Sequence, residues 1–184
     1  AAQGQLGEVM ALLRQGADPN ATGEDLSTPL HSAARGGDVG VIRLLVQHGA
    51  VLDARDSLEC TALHWAALGQ FSAACRELVA LGIDVNARGR SGITPLIKAA
   101  IHDASGDCVR ALLQMGADVR ARLTDDGQSA LHVAALYGRV GAVRALLEAG
   151  SPATGKDGTN LHGLGPLHYA AASEHPNALE VVVL

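Results

Sequence analysis

Aromatic residues are almost missing from this 184-residue chain: one tryptophan, two tyrosines and one phenylalanine make up 2% of it. A core built around large rings is therefore excluded, and burial has to come from many small contacts among alanine, leucine and valine. Basic excess is absent too. Lys and Arg number 14 against 19 Asp and Glu, for a net charge of −5, which gives none of the positive field that general nucleic-acid binding needs. Cysteine is scarce and odd in number: Cys60, Cys75 and Cys108 show no C-x-x-C spacing. That excludes a disulfide framework and fits a reducing compartment. No apolar run approaches bilayer length, and no charged-then-apolar leader opens the chain. These absences predict a soluble intracellular protein, cytoplasmic or nuclear. The signatures of common chemistries are missing as well: no G-x-S-x-G, no H-E-x-x-H, no phosphate-binding glycine–lysine loop.

What is present is a period. Gly16, Gly49, Gly82, Gly116 and Gly150 recur every 33 or 34 residues. Each is preceded, at offsets of seven, four and three, by an apolar triad such as Val9/Leu12/Leu13, Ile42/Leu45/Val46 or Cys75/Leu78/Val79. Spacing i, i+3, i+4 puts a triad on one helical face, and the glycine beyond it suits the left-handed residue that ends a helix. Cys75, at a triad position, reads as a small buried apolar residue. Twelve to fifteen residues after each glycine comes a second signature: Thr28-Pro29-Leu30-His31, Thr61-Ala62-Leu63-His64, Thr94-Pro95-Leu96-Ile97, Ser129-Ala130-Leu131-His132 and Gly165-Pro166-Leu167-His168. All five continue with any residue and then Ala-Ala. Thr or Ser caps a helix start, Pro fits its first turn, and paired alanines allow close helix-to-helix approach. A period of this length signals stacked units in place of one closed core.

The T-P-L-H-x-A-A signature with this period resembles the ankyrin repeat family along the whole chain. The resemblance implies an all-α solenoid with short β-hairpin loops, each unit being a hairpin and two antiparallel helices. The expected organisation is one ankyrin repeat domain over 1–184. Four full repeats, at about 22–54, 55–87, 88–121 and 122–155, are flanked by partial ones at 1–21 and 156–184. Neither end carries a polar capping face, so the chain is read as an excerpt of a longer protein. Two loops deviate. Ile101 to Asp107 is one residue longer than its equivalents, with Ala104 at the usual inter-helix glycine, and Lys156 to Leu164 carries three extra residues.

Histidines His31, His64 and His132 occupy one register position, and His168 follows it in the looser copy. Successive ones belong to different repeats about 8–10 Å apart, too far to share an ion, so no metal or other cofactor is expected. By resemblance the imidazole ties the cap to the neighbouring hairpin, and Ile97 predicts a weaker polar tie at its junction. Asn20 and Asn86 each follow a leucine by eight and an aspartate by two. By resemblance such asparagines are substrates of an oxygen-sensing asparaginyl hydroxylase in animal cells; hydrogen bonding in the turn is their first role.

Register also makes columns. Arg43, Arg76, Arg110 and Arg144 line the second helices, while Arg55, Arg88, Arg122 and Lys156 line the hairpins. Attraction to an acidic partner is one reading; solvated positions whose stems shield apolar surface is the other and the default. The resemblance places partner contacts at hairpin tips and first-helix ends on the concave side. In this sequence those positions include Arg35, Leu58, Leu68, Arg90, Ile93, Ile101, His102, Asp125, Asp126, Leu136, Tyr137 and His162. Leu68, Ile101 and Leu136 beside Tyr137 read either as a contact cluster or as packing beneath the hairpins. The expectation is a monomeric, non-catalytic module binding a protein or peptide, with no nucleic acid or membrane insertion. The alternative is a regulatory or targeting segment of an attached ligase, kinase or channel.

Overall fold

The computed structural model describes residues 2–154 and 158–173. Its helices run α1 (Ala2–Arg14), α2 (Pro29–Gly36), α3 (Val39–Gln47), α4 (Ala62–Leu68), α5 (Ser72–Ala80), α6 (Pro95–His102), α7 (Asp107–Gln114), α8 (Ala130–Leu136), α9 (Val140–Glu148) and α10 (Pro166–Ala172). Each T-P-L-H signature starts an inner helix and each apolar triad lies on an outer one. Inner helices α2, α4, α6, α8 and α10 pack in sequence, and the outer helices α1, α3, α5, α7 and α9 form a second row beside them.

Small residues set the shape. Ala33/Ala34, Ala66/Ala67, Ala99/Ala100 and Ala134/Ala135 are buried between inner helices, which lie closer together than the outer ones do. Tighter packing on one side curves the stack toward that side, making the inner-helix face concave. The triads fill the space between rows: Ile42, Leu45, Cys75, Leu78, Val109, Leu112, Val143 and Leu146 are all at most 2% exposed. Cys75 is thus the buried apolar residue its register predicts. Its Sγ lies 3.9 Å from that of Cys108 in the next unit.

The predicted hairpins are fingers too short to form strands; among the described residues the β pairing is one isolated bridge, Arg122 with Ser129. A backbone bond closes each finger, as in Asp56 N–H to Cys60 C=O at 3.0 Å and Gly89 N–H to Ile93 C=O at 2.8 Å, over a turn bond such as Glu59 N–H to Asp56 C=O at 2.9 Å. A second bond joins each finger to the next: Ser57 to Asp25 at 2.8 Å, Arg90 to Leu58 at 2.9 Å, Thr124 to Ser91 at 2.9 Å and Leu161 to Asp126 at 2.9 Å. The fingers bend at one register position, where Leu26, Glu59, Gly92, Gly127 and Gly163 all have φ between 60° and 75°. Two of the five are therefore not glycine and carry left-handed strain, as does Ser91, at φ 57°, beside Gly92 in the third finger.

The longer loop after α6 is built around Asp103, which is buried. Its carboxylate accepts from Gly106 N–H at 2.9 Å, Val109 N–H at 2.8 Å and the Ser105 hydroxyl at 3.0 Å. The left-handed residue moves from the usual glycine to Gly106. The enlarged loop then docks on α9, where Gly141 N–H donates to Ala104 C=O at 3.0 Å. A Cβ at Gly141 would sit 2.3 Å from the Ser105 carbonyl, so this contact exists because 141 is glycine. Of the extra residues in the fifth finger, Lys156 and Asp157 lie outside the described residues, as does His175.

Candidate functional site

The histidine column is structural. At α2, α4 and α8 the cap residue's N–H donates to the ring Nδ1, at 3.1 Å from Thr28 to His31, 3.1 Å from Thr61 to His64 and 3.3 Å from Ser129 to His132. An Nδ1 that accepts leaves the proton on Nε2, which donates across the junction to Cys60, Ile93 and Leu164 C=O, each at 3.1 Å. Each imidazole thus bolts its helix cap to the next finger. Burial pushes the pKa of His64 down to about 4, its bond to Ile93 opposing the shift and the charge of Lys98 adding to it. Burial lowers His132 likewise. At the third unit Ile97 N–H reaches the Thr94 hydroxyl oxygen at 3.3 Å, and an isoleucine has nothing to donate to the Gln128 carbonyl. That tie is lost, as expected, but Arg139 Nε to Ile101 C=O at 2.8 Å and Gly141 to Ala104 clamp the same junction elsewhere.

Asn20 and Asn86 are junction staples. Asn20 donates to Gly49 C=O at 3.0 Å and accepts from Val51 N–H at 2.7 Å; Asn86 does the same with Gly116 at 3.2 Å and Asp118 at 2.7 Å. The arginine columns divide. Arg55 holds Glu59 and Arg88 carbonyls at 2.8 and 2.7 Å, and Arg122 holds those of Gly127 and Thr159 at 2.7 and 2.8 Å, so each ties its own finger to the following one. On the outer row Arg43 pairs with Glu77 of the next unit at 2.6 Å and Arg110 with Asp107 at 2.8 Å.

With capping imidazoles on finger carbonyls, asparagine staples and the two-helix unit repeated in register, the architecture decides the family. A family profile described as "Ankyrin repeats (3 copies)" matches residues 1–89, 71–157 and 123–183. The chain is a member of the ankyrin repeat family. Such repeats are, in general, protein–protein interaction modules. Among curated ankyrin-repeat relatives, Neurogenic locus notch homolog protein 2 of Homo sapiens and of Mus musculus are each 33% identical over 81 residues. Neurogenic locus Notch protein of Drosophila melanogaster is 32% identical over 81 residues. In all three the match covers 44% of this chain and 3% of the relative.

On this ankyrin stack two adjoining hollows open between the fingers and the inner helices. One, of about 130 Å³, is lined by Arg35, Asp56, Leu58, Cys60, His64, Trp65, Leu68 and Lys98. The other, of about 210 Å³, is lined by Leu58, Cys60, Arg90, Ser91, Ile93 and Lys98. Leu58, Cys60 and Lys98 belong to both. Of the residues the sequence singles out, Arg35, Leu58, Leu68, Arg90 and Ile93 come together here. The rest do not. Ile101 and Tyr137 are half-buried against the core, and Leu136 is half-buried at the end of α8. His102 is exposed at the end of α6, its pKa lowered by desolvation and then by Arg139 and Lys98. Asp125, Asp126 and His162 belong to the later fingers, where Asp126 is held by the side chain and N–H of Gln128 and His162 N–H by Asn160 at 2.9 Å.

Asp56, Trp65 and Lys98 are among the lining residues that the sequence argument does not single out. Trp65 is half-buried. Its Nε1 donates to Asp56 Oδ2 at 2.7 Å, and the Arg35 guanidinium stands 5.5 Å from its ring centroid, in cation–π range. Asp56 is buried, and its other oxygen accepts from Leu58 and Cys60 N–H at 2.8 and 2.9 Å. Lys98 stands at the register position of Trp65, four residues after the cap; reading that column (Ser32, Trp65, Lys98, Val133, Tyr169) would have found it. Burial raises the Cys60 thiol pKa, keeping it protonated. A third hollow, about 380 Å³ between α1 and α2, holds none of the predicted residues. Its lining comes from α1, α2 and α3 and includes the triad residues Val9 and Leu45. No group of three or more His, Cys, Asp or Glu among the described residues is placed to hold a metal ion. No helix among them is long and apolar enough to cross a membrane.

Proposed function

We propose that this chain is a non-catalytic binding module that docks a protein or peptide on its concave face, through finger tips and inner-helix ends. The observation that carries this reading is the pair of joined hollows at Leu58 and Lys98, where an exposed leucine, a tryptophan and unpaired cations meet on a rigid scaffold. Hot spots favour Trp and Arg around a partly apolar pocket. The scaffold is rigid there because fingers, imidazoles and asparagines are bonded across successive junctions. In this reading residues 1–184 act as one domain of four full repeats flanked by partial ones, monomeric, in the cytoplasm or nucleus, and without nucleic acid. Because the chain spans about 3% of the length of the curated relatives named above, a second role fits beside the first: the module targets or regulates domains attached to it.

A photo-crosslinking side chain at position 58, compared with one at Glu148 on the outer row, tests the face. Adducts to a defined partner from position 58 and none from 148 are expected in cell extract. Adducts confined to position 148, or none from either, would overturn the assignment.

A further inference from the structure

Across the two hollows the charge runs against that of the whole chain. Three cations, Arg35, Arg90 and Lys98, face one carboxylate, Asp56, in a protein of net charge −5. Asp56 makes no ion pair with any of them, its oxygens being bonded to Trp65 and to the finger backbone, and its single charge leaves the lining with an excess of two positive charges. The ion pairs among the described residues, Arg43–Glu77 and Arg110–Asp107, lie on the outer row and involve none of the three. Arg90 uses one guanidinium nitrogen to hold Ser57 C=O at 2.7 Å, and the residue is exposed. Of the nearby finger carboxylates, Glu24 and Glu59 are exposed and line neither hollow, and Asp25 is folded back onto Ser27, with its Oδ1 2.6 Å from that hydroxyl. Lys98 is shared by both hollows, and its charge is felt at His64 on one side and His102 on the other, after the larger effect of burial at each. Around these cations stand Leu58, 46% exposed, and the half-buried Leu68 and Ile93.

We propose that the concave face takes an extended acidic peptide, with a carboxylate seated between Lys98 and Arg90 and an adjacent apolar side chain on Leu58 and Leu68. This rests on the concave-face reading above and deepens it by naming the partner's chemistry. Apolar lining beside uncompensated cations selects a segment in which Asp or Glu alternates with Leu, Ile or Phe; a purely apolar segment would leave the cations unsatisfied, and a basic one would be repelled. Nucleic acid also carries negative charge, but the narrow patch and acidic surroundings disfavour a polyanion.

Trp65 is the sole tryptophan, so its fluorescence reports occupancy of this site. The wild-type protein would be panned against a phage-displayed random dodecapeptide library, and the enriched peptides titrated by Trp65 emission. The expected pool is enriched in Asp or Glu next to a large apolar residue, and Lys98→Glu weakens the selected peptides by about tenfold or more. Lys98→Met gives an intermediate loss, and all variants retain the wild-type circular dichroism melt. A pool without acidic enrichment that still perturbs Trp65 would sink the acidic chemistry while leaving the concave face standing. Peptides that leave Trp65 unchanged and cross-link to the outer row would sink both. An empty selection, or equal quenching by a 12-nucleotide poly(U), would also overturn the proposal.

Discussion

His64 makes the fold's stability depend on pH in a way that can be worked out in advance. The ring is buried and neutral, with its pKa down at about 4 from an ordinary 6.5. In the unfolded chain it titrates near the ordinary value. Above pH 6.5 neither state binds the proton, so the contribution of the buried neutral ring is fully present. As pH falls below 6.5 the unfolded state gains a proton that the folded state refuses, and stability drops until the folded ring titrates near pH 4. Going from pH 7.5 to pH 5 removes about 2 kcal/mol on this account, and the full span about 3 kcal/mol. The chain supplies its own control, because Ile97 fills the same register position in the next unit. Urea denaturation of wild type and His64→Ile at both pH values should show the wild-type advantage shrinking by about 2 kcal/mol at pH 5. A difference independent of pH, or a His64 ring resonance with a midpoint near 6.5, would refute the reasoning. His132, lowered by burial too, titrates in both proteins and cancels.

Further expectations concern backbone and junctions. Glu59 holds a left-handed φ of 60° where later fingers use glycine; Glu59→Gly should raise stability by about 0.5–1 kcal/mol in a thermal melt. Gly141→Ala should cost about 1–3 kcal/mol, since the methyl meets the Ser105 backbone. In contrast, Gly7→Ala, inside α1 with nothing near the new methyl, should gain about 0.5–1 kcal/mol. Asn86→Ala cuts the bonds to Gly116 and Asp118 and should cost about 1–2 kcal/mol. Hydrogen exchange should show the loss as faster exchange at the Asp118 amide.

The helical framework was legible because its signals are local and repeated. The triads, the cap signatures and the paired alanines mean the same thing in any unit, and the structure uses them as read. The hairpins were half legible: the turns are there, but the fingers are too short for strands. What escaped was whatever depends on a neighbour. That Gly141 exists for the loop at 103–106 follows only once the two units are in contact. That Arg55 and Arg122 are spent on carbonyls is invisible to a column of charges. Of the residues that line the two hollows, the finger and helix-end register names Arg35, Leu58, Leu68, Arg90 and Ile93. It missed Lys98 because lysine at a mostly apolar or small column carries no motif. Ile101 and Tyr137, open to either a contact or a packing reading, lie partly buried against the core.

The seam between the third and fourth units is fastened along a different margin from its neighbours. Elsewhere a ring nitrogen pins finger to helix; here that pin is missing, and the grip comes from Arg139 and the enlarged loop on the far side. The solenoid at this point is gripped hardest at its loop margin, while at the fingertips the backbone bond from Thr124 to Ser91 holds the seam without the imidazole that reinforces its neighbours. Bending of the array would concentrate here, opening and narrowing the concave trough just beyond Lys98, so the Leu123 amide should exchange with solvent sooner than the equivalent Asp56 amide.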